Sequence, residues 1–137
     1  MIDGVEIYPL DIKRDERGWL AEILRAEKRC PGEDYAHLYV TVAHPGKTKG
    51  RHYHQRKVEW FCVVSGEATL SLQDTRTGKE EKIPMGEKNM ITVRIPPYVA
   101  HAITNTGMAP LFLVVIVSEQ FNPKDPDTLP FSFSSLM

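Results

Sequence analysis

The chain has 137 residues, 26% of them charged and 42% hydrophobic, with a formal net charge of −1, a length that fits one domain whose core needs no disulfide or metal to hold it. Near-neutral charge and a pI near 6.5 leave no basic footprint, which argues against nucleic acid or an anionic membrane surface as a partner. There is no run of about 18 apolar residues, and the opening MIDGVEIYPL carries acids where a secretion signal needs a basic start, so no membrane association and a cytoplasmic location are expected.

Taken in chain order, the apolar segments are short, rich in Val, Ile, Phe and Tyr, and broken by turn residues, the pattern of a strand-built domain. In RGWLAEILRAEKR, Leu20, Ile23 and Leu24 have helical spacing, but Trp19, Ala21, Ile23 and Arg25 also alternate with their neighbours, and a long N-terminal strand is expected. YAHLYVTVAHPG alternates and stops at Pro45-Gly46. VEWFCVVSGEATLSLQDTRTGKE reads as two strands meeting at Ser65-Gly66-Glu67, the second closing at Thr77-Gly78. MITVRIPP, HAITNTG and PLFLVVIVSEQF supply three more, and the proline-rich tail FNPKDPDTLPFSFSSLM is expected to be a non-sheet surface extension. Many short strands with regular turns predict an all-β sandwich or barrel. Cys30, ahead of Pro31 in a loop, and Cys62, inside an apolar run, form no disulfide framework and read as structural.

One stretch, GKTKGRHYHQRKVEWFCVVSG, gathers metal-competent side chains where the chain enters an apolar run. On a strand His52 and His54 share a face while Tyr53 points away; a helix would separate them by about 200°. Glu59 lies an odd number of residues from His54, so polar Gln55-Arg56-Lys57 must turn or bulge for Glu59 to open the next strand beside the histidines. A buried carboxylate without a partner is costly, and a divalent cation offers one. His101, after Pro96-Pro97 and at the start of another apolar strand, is the fourth candidate, with Asn105 four residues on. Two nitrogens, one carboxylate and a further nitrogen suit Zn²⁺, Fe²⁺, Mn²⁺ or Ni²⁺, with positions left open for a substrate.

These spacings resemble the cupin superfamily. Gly46, His52, His54, Glu59 and Gly66 match its first motif, and Pro96, His101 and Asn105 its second, with Tyr98 where glycine is usual. The resemblance implies an all-β, cupin-type jelly-roll barrel (a double-stranded β-helix) spanning residues 1–137. Within it, residues 1–45 would supply N-terminal strands, swapped in a homodimer; residues 46–118 the barrel motifs; residues 119–137 a C-terminal extension. The metal or substrate would sit inside the barrel, with zinc the first expectation for the metal.

Within that superfamily the sequence looks most like the sugar-nucleotide branch, the dTDP-4-dehydrorhamnose 3,5-epimerases. DERGWLAEILR resembles their diphosphate-contacting segment, which implies substrate-binding roles for Arg17 and Glu22; KGRHYH resembles the segment of their catalytic histidine, matching His52; IPPYVAH resembles a third segment. Lys49 and Arg51 join the substrate-binding candidates. The departures are His54 for glutamine, Glu59 for the active-site lysine and Phe121 for the general-acid tyrosine. GRHYH, K-x-E-x-F and F-x-P-x-x-P-D-T are closer to the cupin domain ending bifunctional capsular UDP-sugar epimerase/reductases.

The resemblance therefore implies an isomerase: a metal-binding cupin acting on a nucleotide-diphospho-4-keto-6-deoxy sugar by epimerisation or ketoisomerisation in surface polysaccharide or deoxysugar biosynthesis. His52 would be metal ligand first and general base second, with Tyr53, Tyr98 and Tyr39 as possible proton donors. A non-catalytic sugar- or effector-binding cupin, a metal-dependent oxygenase and a phospho-sugar isomerase are the alternatives the same ligand set allows.

Overall fold

In the computed structural model, which describes residues 1–28 and 33–136, the chain is built almost wholly of antiparallel strands. In order these are β1 (Glu6–Pro9), β2 (Ile12–Asp15), β3 (Gly18–Ala21), β4 (His37–Ala43), β5 (Thr48–Tyr53), β6 (Glu59–Ser65), β7 (Glu67–Asp74), β8 (Glu80–Gly86), β9 (Ile91–Ile95), β10 (Val99–Asn105), β11 (Leu111–Val117) and β12 (Leu129–Pro130). One five-stranded sheet runs β1-β9-β6-β11-β4, a second runs β12-β5-β10-β7-β8, and β2-β3 form a separate hairpin. The only helical segments among the described residues are short 3₁₀ turns at Ala26–Lys28 and Ser134–Leu136, so no helix is long and apolar enough to cross a membrane.

The two large sheets face each other because their strands alternate. In β11, Leu111, Leu113, Val115 and Val117 are buried while Phe112 is exposed, as period-2 patterning requires. Their inward side chains form one cluster with Phe61, Val63, Leu70, Leu72, Val93, Ile95, Val99 and Ile103. Strand β6 is buried on both faces from Glu59 to Val63. Its outward residues Trp60 and Cys62 lie beneath the N-terminal segment, where Tyr35 meets the Trp60 ring edge-on at 5.4 Å and Ile23 accepts a 2.6 Å hydrogen bond from Thr92.

Three sequence expectations change. The long N-terminal strand is instead the short β2-β3 hairpin, paired Ile12↔Ala21 to Asp15↔Gly18; Arg17 hydrogen-bonds back to Asp15 across the turn, so the alternation in RGWLAE is read over only four residues before the chain leaves the strand. Strand β8, unforeseen because KEEKIPMG is mostly polar, is a sheet edge whose Ile83 and Met85 alone reach the core, and an edge tolerates Pro84. The tail is not purely a surface extension: β12 pairs Leu129↔Tyr53 and Pro130↔His52, and Asp127 and Phe133 are buried. Cys30 and Pro31 lie outside the described residues.

Candidate metal centre

The site lies between the two sheets. His101 on β10 is directly opposite His52 on β5, Glu59 opens β6 in the facing sheet, and His54 follows β5 in the connection to β6. Each offers one ligand atom, and the four atoms lie within 4.8 Å of one another. Glu59 Oε1 is 2.7 Å from His54 Nε2 and 3.0 Å from His101 Nε2. The His52 ring lies 4.7 Å from that of His101 and 5.2 Å from that of His54.

A bulge aims these groups. The β5–β10 register steps from His52↔His101 to Gly50↔Ala102, leaving Arg51 as the extra residue, with φ of 63°. Lys49 and His52 are three apart and would point oppositely on an unbroken strand; one inserted residue turns both toward the same cavity. Gly50 must be glycine. Its φ is +98°, and a Cβ there would meet the His101 carbonyl oxygen at 2.9 Å.

The His54–Glu59 turn is held from the tail. Asp127 accepts backbone N–H bonds from Gln55, Arg56 and Lys57 at 2.8, 2.9 and 3.1 Å, and its own carbonyl lies 2.5 Å from His54 Nδ1. A carbonyl only accepts, so Nδ1 carries the proton and donates it. Nε2 then faces Glu59, and two acceptor groups across 2.7 Å call for a second proton on the imidazole or a shared cation. The Nε2 of His101 is buried without a hydrogen-bond partner, a nitrogen aimed at Glu59 and otherwise idle. Convergent polar groups buried this deeply are normally paired, and a divalent ion would satisfy all of them at once. The donor set therefore fits such an ion.

Electrostatics inside the cluster follow from burial and mutual charge. Burial raises the Glu59 carboxyl, but His101 and His54 outweigh it and hold the group well below the usual carboxylate range. Burial opposes a charged His54, and its hydrogen bond and attraction to Glu59 reverse that, for a net upward shift. Burial, reinforced by His101 and His54, lowers His52 to about 4, so its imidazole keeps a free lone pair at neutral pH.

Beside the four residues opens a cavity of about 130 Å³, lined by Tyr39, Thr41, Lys49, Gly50, His52, Glu59, Phe61, His101, Ile103, Leu113 and Val115. Most of this wall is apolar. Its polar rail is Lys49, which donates to Thr41 Oγ1 at 2.5 Å and to the Val42 carbonyl at 3.2 Å, and Tyr39, whose hydroxyl burial, with the nearby Glu59 charge, pushes up to about 12.

The other candidates sit elsewhere. Tyr53 and Tyr98 do not line the cavity: Tyr53 packs against Phe131, and Tyr98 lies under the Arg76 guanidinium, while Tyr39 is the tyrosine in its wall. Arg51 does not line the cavity and donates instead to the Leu136 carbonyl of the tail. Arg17 is exposed on the β2-β3 turn and paired with Asp15, and Glu22 is paired with Arg25; neither reaches the cavity of its own chain. Phe121 is exposed beneath the Lys57 ammonium. Asn105 is structural, its amide donating to the Ala43 and Ala109 carbonyls and accepting from Gly107. Sequence reasoning assigned no role to Thr41, Lys57 or Asp127, although Asp127 is the acid of the F-x-P-x-x-P-D-T segment.

The comparisons with known proteins follow the same lines. The family model for the polysaccharide biosynthesis C-terminal domain matches residues 13–129. The spore coat polysaccharide biosynthesis protein SpsL of Bacillus subtilis is 31% identical over 93% of this chain and 87% of its own. The capsular polysaccharide assembling protein CapF of Staphylococcus aureus superposes with a TM-score of 0.70 at 29% identity, over 92% of this chain; the chain spans 35% of that protein. The dTDP-6-deoxy-D-glucose-3,5-epimerase RmlC of Legionella pneumophila, solved with dTDP-4-keto-L-rhamnose, has a TM-score of 0.85 at 19% identity, over 97% of this chain and 75% of its own, a likeness that shows the cupin jelly-roll fold. With the motifs, barrel and family match in agreement, the chain belongs to the polysaccharide biosynthesis C-terminal domain family and has the cupin jelly-roll fold.

Proposed function

We propose that this chain is a homodimeric, metal-binding isomerase that epimerises or ketoisomerises a nucleotide-diphospho-4-keto-6-deoxy sugar in surface polysaccharide or deoxysugar biosynthesis. One observation carries the reading: a buried His/Glu cluster able to hold an ion opens directly onto a mostly apolar cavity whose polar groups are Lys49, Tyr39 and Thr41. His54, Glu59 and His101 are the buried holders of the ion, zinc in first place, and His52 is the half-buried fourth ligand on the cavity side. A bound divalent ion would act as a Lewis acid on the sugar ketone.

The residues of the chain then divide the remaining work. A C–H bond next to a ketone breaks when a base takes the proton and the electron pair moves to the ketone oxygen. His52 fills that role when its lone pair is not on the ion, three ligands remaining. Lys49, at the cavity wall, places a positive charge where the enolate oxygen or a phosphate would lie. Tyr39 keeps its hydroxyl proton at neutral pH and can give it to carbon on the other face; once product leaves, solvent takes the proton from His52 and returns one to Tyr39, which completes the proton balance. The apolar wall of Phe61, Ile103, Leu113 and Val115 excludes water.

Arg17 and Glu22 fit this reading through a second copy. Their hairpin stands apart from both large sheets and exposes Trp19 and Leu20, and β4 is a sheet edge with Leu38 and Val40 exposed at 65% and 60%. An uncovered edge with apolar side chains calls for a covering strand, and a neighbour's hairpin would bring its Arg17 toward the mouth beside β4.

Incubation with UDP- and dTDP-4-keto-6-deoxy sugars in heavy water tests the chemistry. A mass gain at carbon 3 or 5 is expected; no gain with any such sugar, or exchange only with a sugar phosphate, would overturn it.

A further inference from the structure

The metal-ligand turn is closed by a residue 73 positions away from His54 that no ligand motif contains. Asp127 is buried and sits in the left-handed region with φ of 49°, a conformation uncommon for a residue with a Cβ. Its carboxylate accepts three successive backbone N–H groups, from Gln55, Arg56 and Lys57. Together these bonds fix the residues that separate His54 from Glu59. Its carbonyl accepts the Nδ1–H of His54 at 2.5 Å. The neighbouring carbonyl of Pro126 accepts the Lys57 ammonium at 2.9 Å, and Tyr98 donates its backbone N–H to the His54 carbonyl at 2.7 Å.

We propose that Asp127 is the positioning residue of the centre: its carboxylate sets the separation of His54 and Glu59, while its carbonyl fixes the His54 tautomer that leaves Nε2 free. This rests on the reading of His52, His54, Glu59 and His101 as a metal site. The C-terminal segment is thus part of the centre although it supplies no ligand. Outer-shell partners of this kind typically change metal affinity 10–100-fold when removed. The three N–H bonds also explain why the carboxylate stays ionised: burial alone would raise it, and the Gln55, Arg56 and Lys57 amides outweigh that and hold it below the ordinary range.

The test compares the full-length protein with Asp127→Ala, Asp127→Asn and Lys57→Met. Co²⁺ and Zn²⁺ affinities are measured by chelator competition, alongside the Co²⁺ absorption spectrum, the Tm of the metal-free form and the ¹⁵N spectrum of the His54 imidazole. Asp127→Ala is expected to weaken metal binding at least 10-fold and to alter the Co²⁺ spectrum. Asp127→Asn keeps an acceptor oxygen and a side chain that tolerates φ near 50°, so it should recover part of the affinity. Lys57→Met leaves the three N–H bonds intact and should lower Tm with little change in affinity. If Asp127→Ala does not fold, Asp127→Asn carries the test, with a several-fold loss expected. Wild-type affinity and spectrum in every folded Asp127 variant would overturn the assignment. Absence of metal binding by the wild-type protein would instead remove the metal reading itself; the His54 Nδ1–H resonance, protected in wild type and in Asp127→Asn but exchanging fast in Asp127→Ala, then decides the positioning role alone.

Discussion

Glu59 Oε1 lies 2.7 Å from His54 Nε2, although Glu59 opens a strand of one sheet and His54 leaves a strand of the other. The contact therefore ties the two halves of the barrel at the floor of the cavity. A charged pair this deeply buried is strongly destabilising when one partner is removed alone, and it gains most from a shared cation.

The first prediction concerns that cation. Purified wild-type protein is expected to hold about one divalent ion per chain, and Glu59→Gln or His101→Ala should reduce it to a small fraction. Removing the ion from wild type should lower stability by RT ln(1 + [M]/Kd), about 4 kcal/mol when the metal stands at 1,000 times Kd. Elemental analysis and thermal melts with and without chelator are the checks; stoichiometric metal surviving both substitutions would refute the ligand set.

A second prediction concerns Gly50. Its φ of +98° and the 2.9 Å approach of the His101 carbonyl oxygen to any Cβ there leave alanine no relaxed position. Gly50→Ala should cost about 2 kcal/mol or more, which lowers Tm by several degrees. Because the displaced carbonyl belongs to His101, metal affinity should fall with it. Gly78→Ala is a useful control: its φ is +79°, yet nothing lies within 4 Å of a Cβ, so strain is the only cost and the centre should be untouched.

The two motifs made the centre legible because side-chain period is set by strand geometry: His52 and His54 on one face, Glu59 restored to it by a polar turn, His101 just inside the next strand. The alternation in β4 was readable too, whereas β11 is the unbroken apolar run LFLVVIV, whose buried and exposed sides the sequence does not distinguish. Less of the site was visible where geometry depends on a bulge or on distant chain. Nothing local in Lys49-Gly50-Arg51 says that an inserted Arg51 turns Lys49 and His52 into the same cavity. Tyr53 and Tyr98 were reasonable donors by proximity in sequence, but Tyr53 sits on the opposite strand phase to His52 and Tyr98 lies in the turn before β10 beneath Arg76, so neither lines the cavity. Asp127 was hidden because its partners are backbone amides 70 to 72 residues away, which leave no side-chain pattern.

A third prediction follows from the exposed edge. Leu38, Val40 and Val42 project from β4 next to Phe112 on β11, a contiguous apolar strip of the kind that marks an interface. Wild-type protein should behave as a dimer in light scattering, and Val40→Glu, at a solvent-facing position, should shift it to monomer while leaving circular dichroism unchanged. In the same experiment Arg17→Ala should keep the dimer and raise KM for a nucleotide sugar with little change in kcat, since it acts only on binding. A monomeric wild type would remove both the interface and the route by which Arg17 reaches a cavity.

The last prediction concerns Cys62. Its thiol is fully buried against the N-terminal segment, and burial pushes it up to about 11, the Thr92 contact opposing this only in part. The thiolate is the reactive form, so in a Cys30→Ser background Cys62 should resist Ellman's reagent at pH 8 until the protein is unfolded. The sign of the pH effect follows from the raised value. The folded state binds its proton more tightly than the unfolded chain, so the contribution is fully present below about pH 9 and is lost as pH rises toward 11. Wild-type protein should therefore lose stability over that window faster than Cys62→Ala, which starts lower because of the cavity left by the sulfur but lacks the ionisation. Two melting curves that fall in parallel from pH 8 to 11 would show that the segment over β6 opens freely and that Cys62 is not shielded by it.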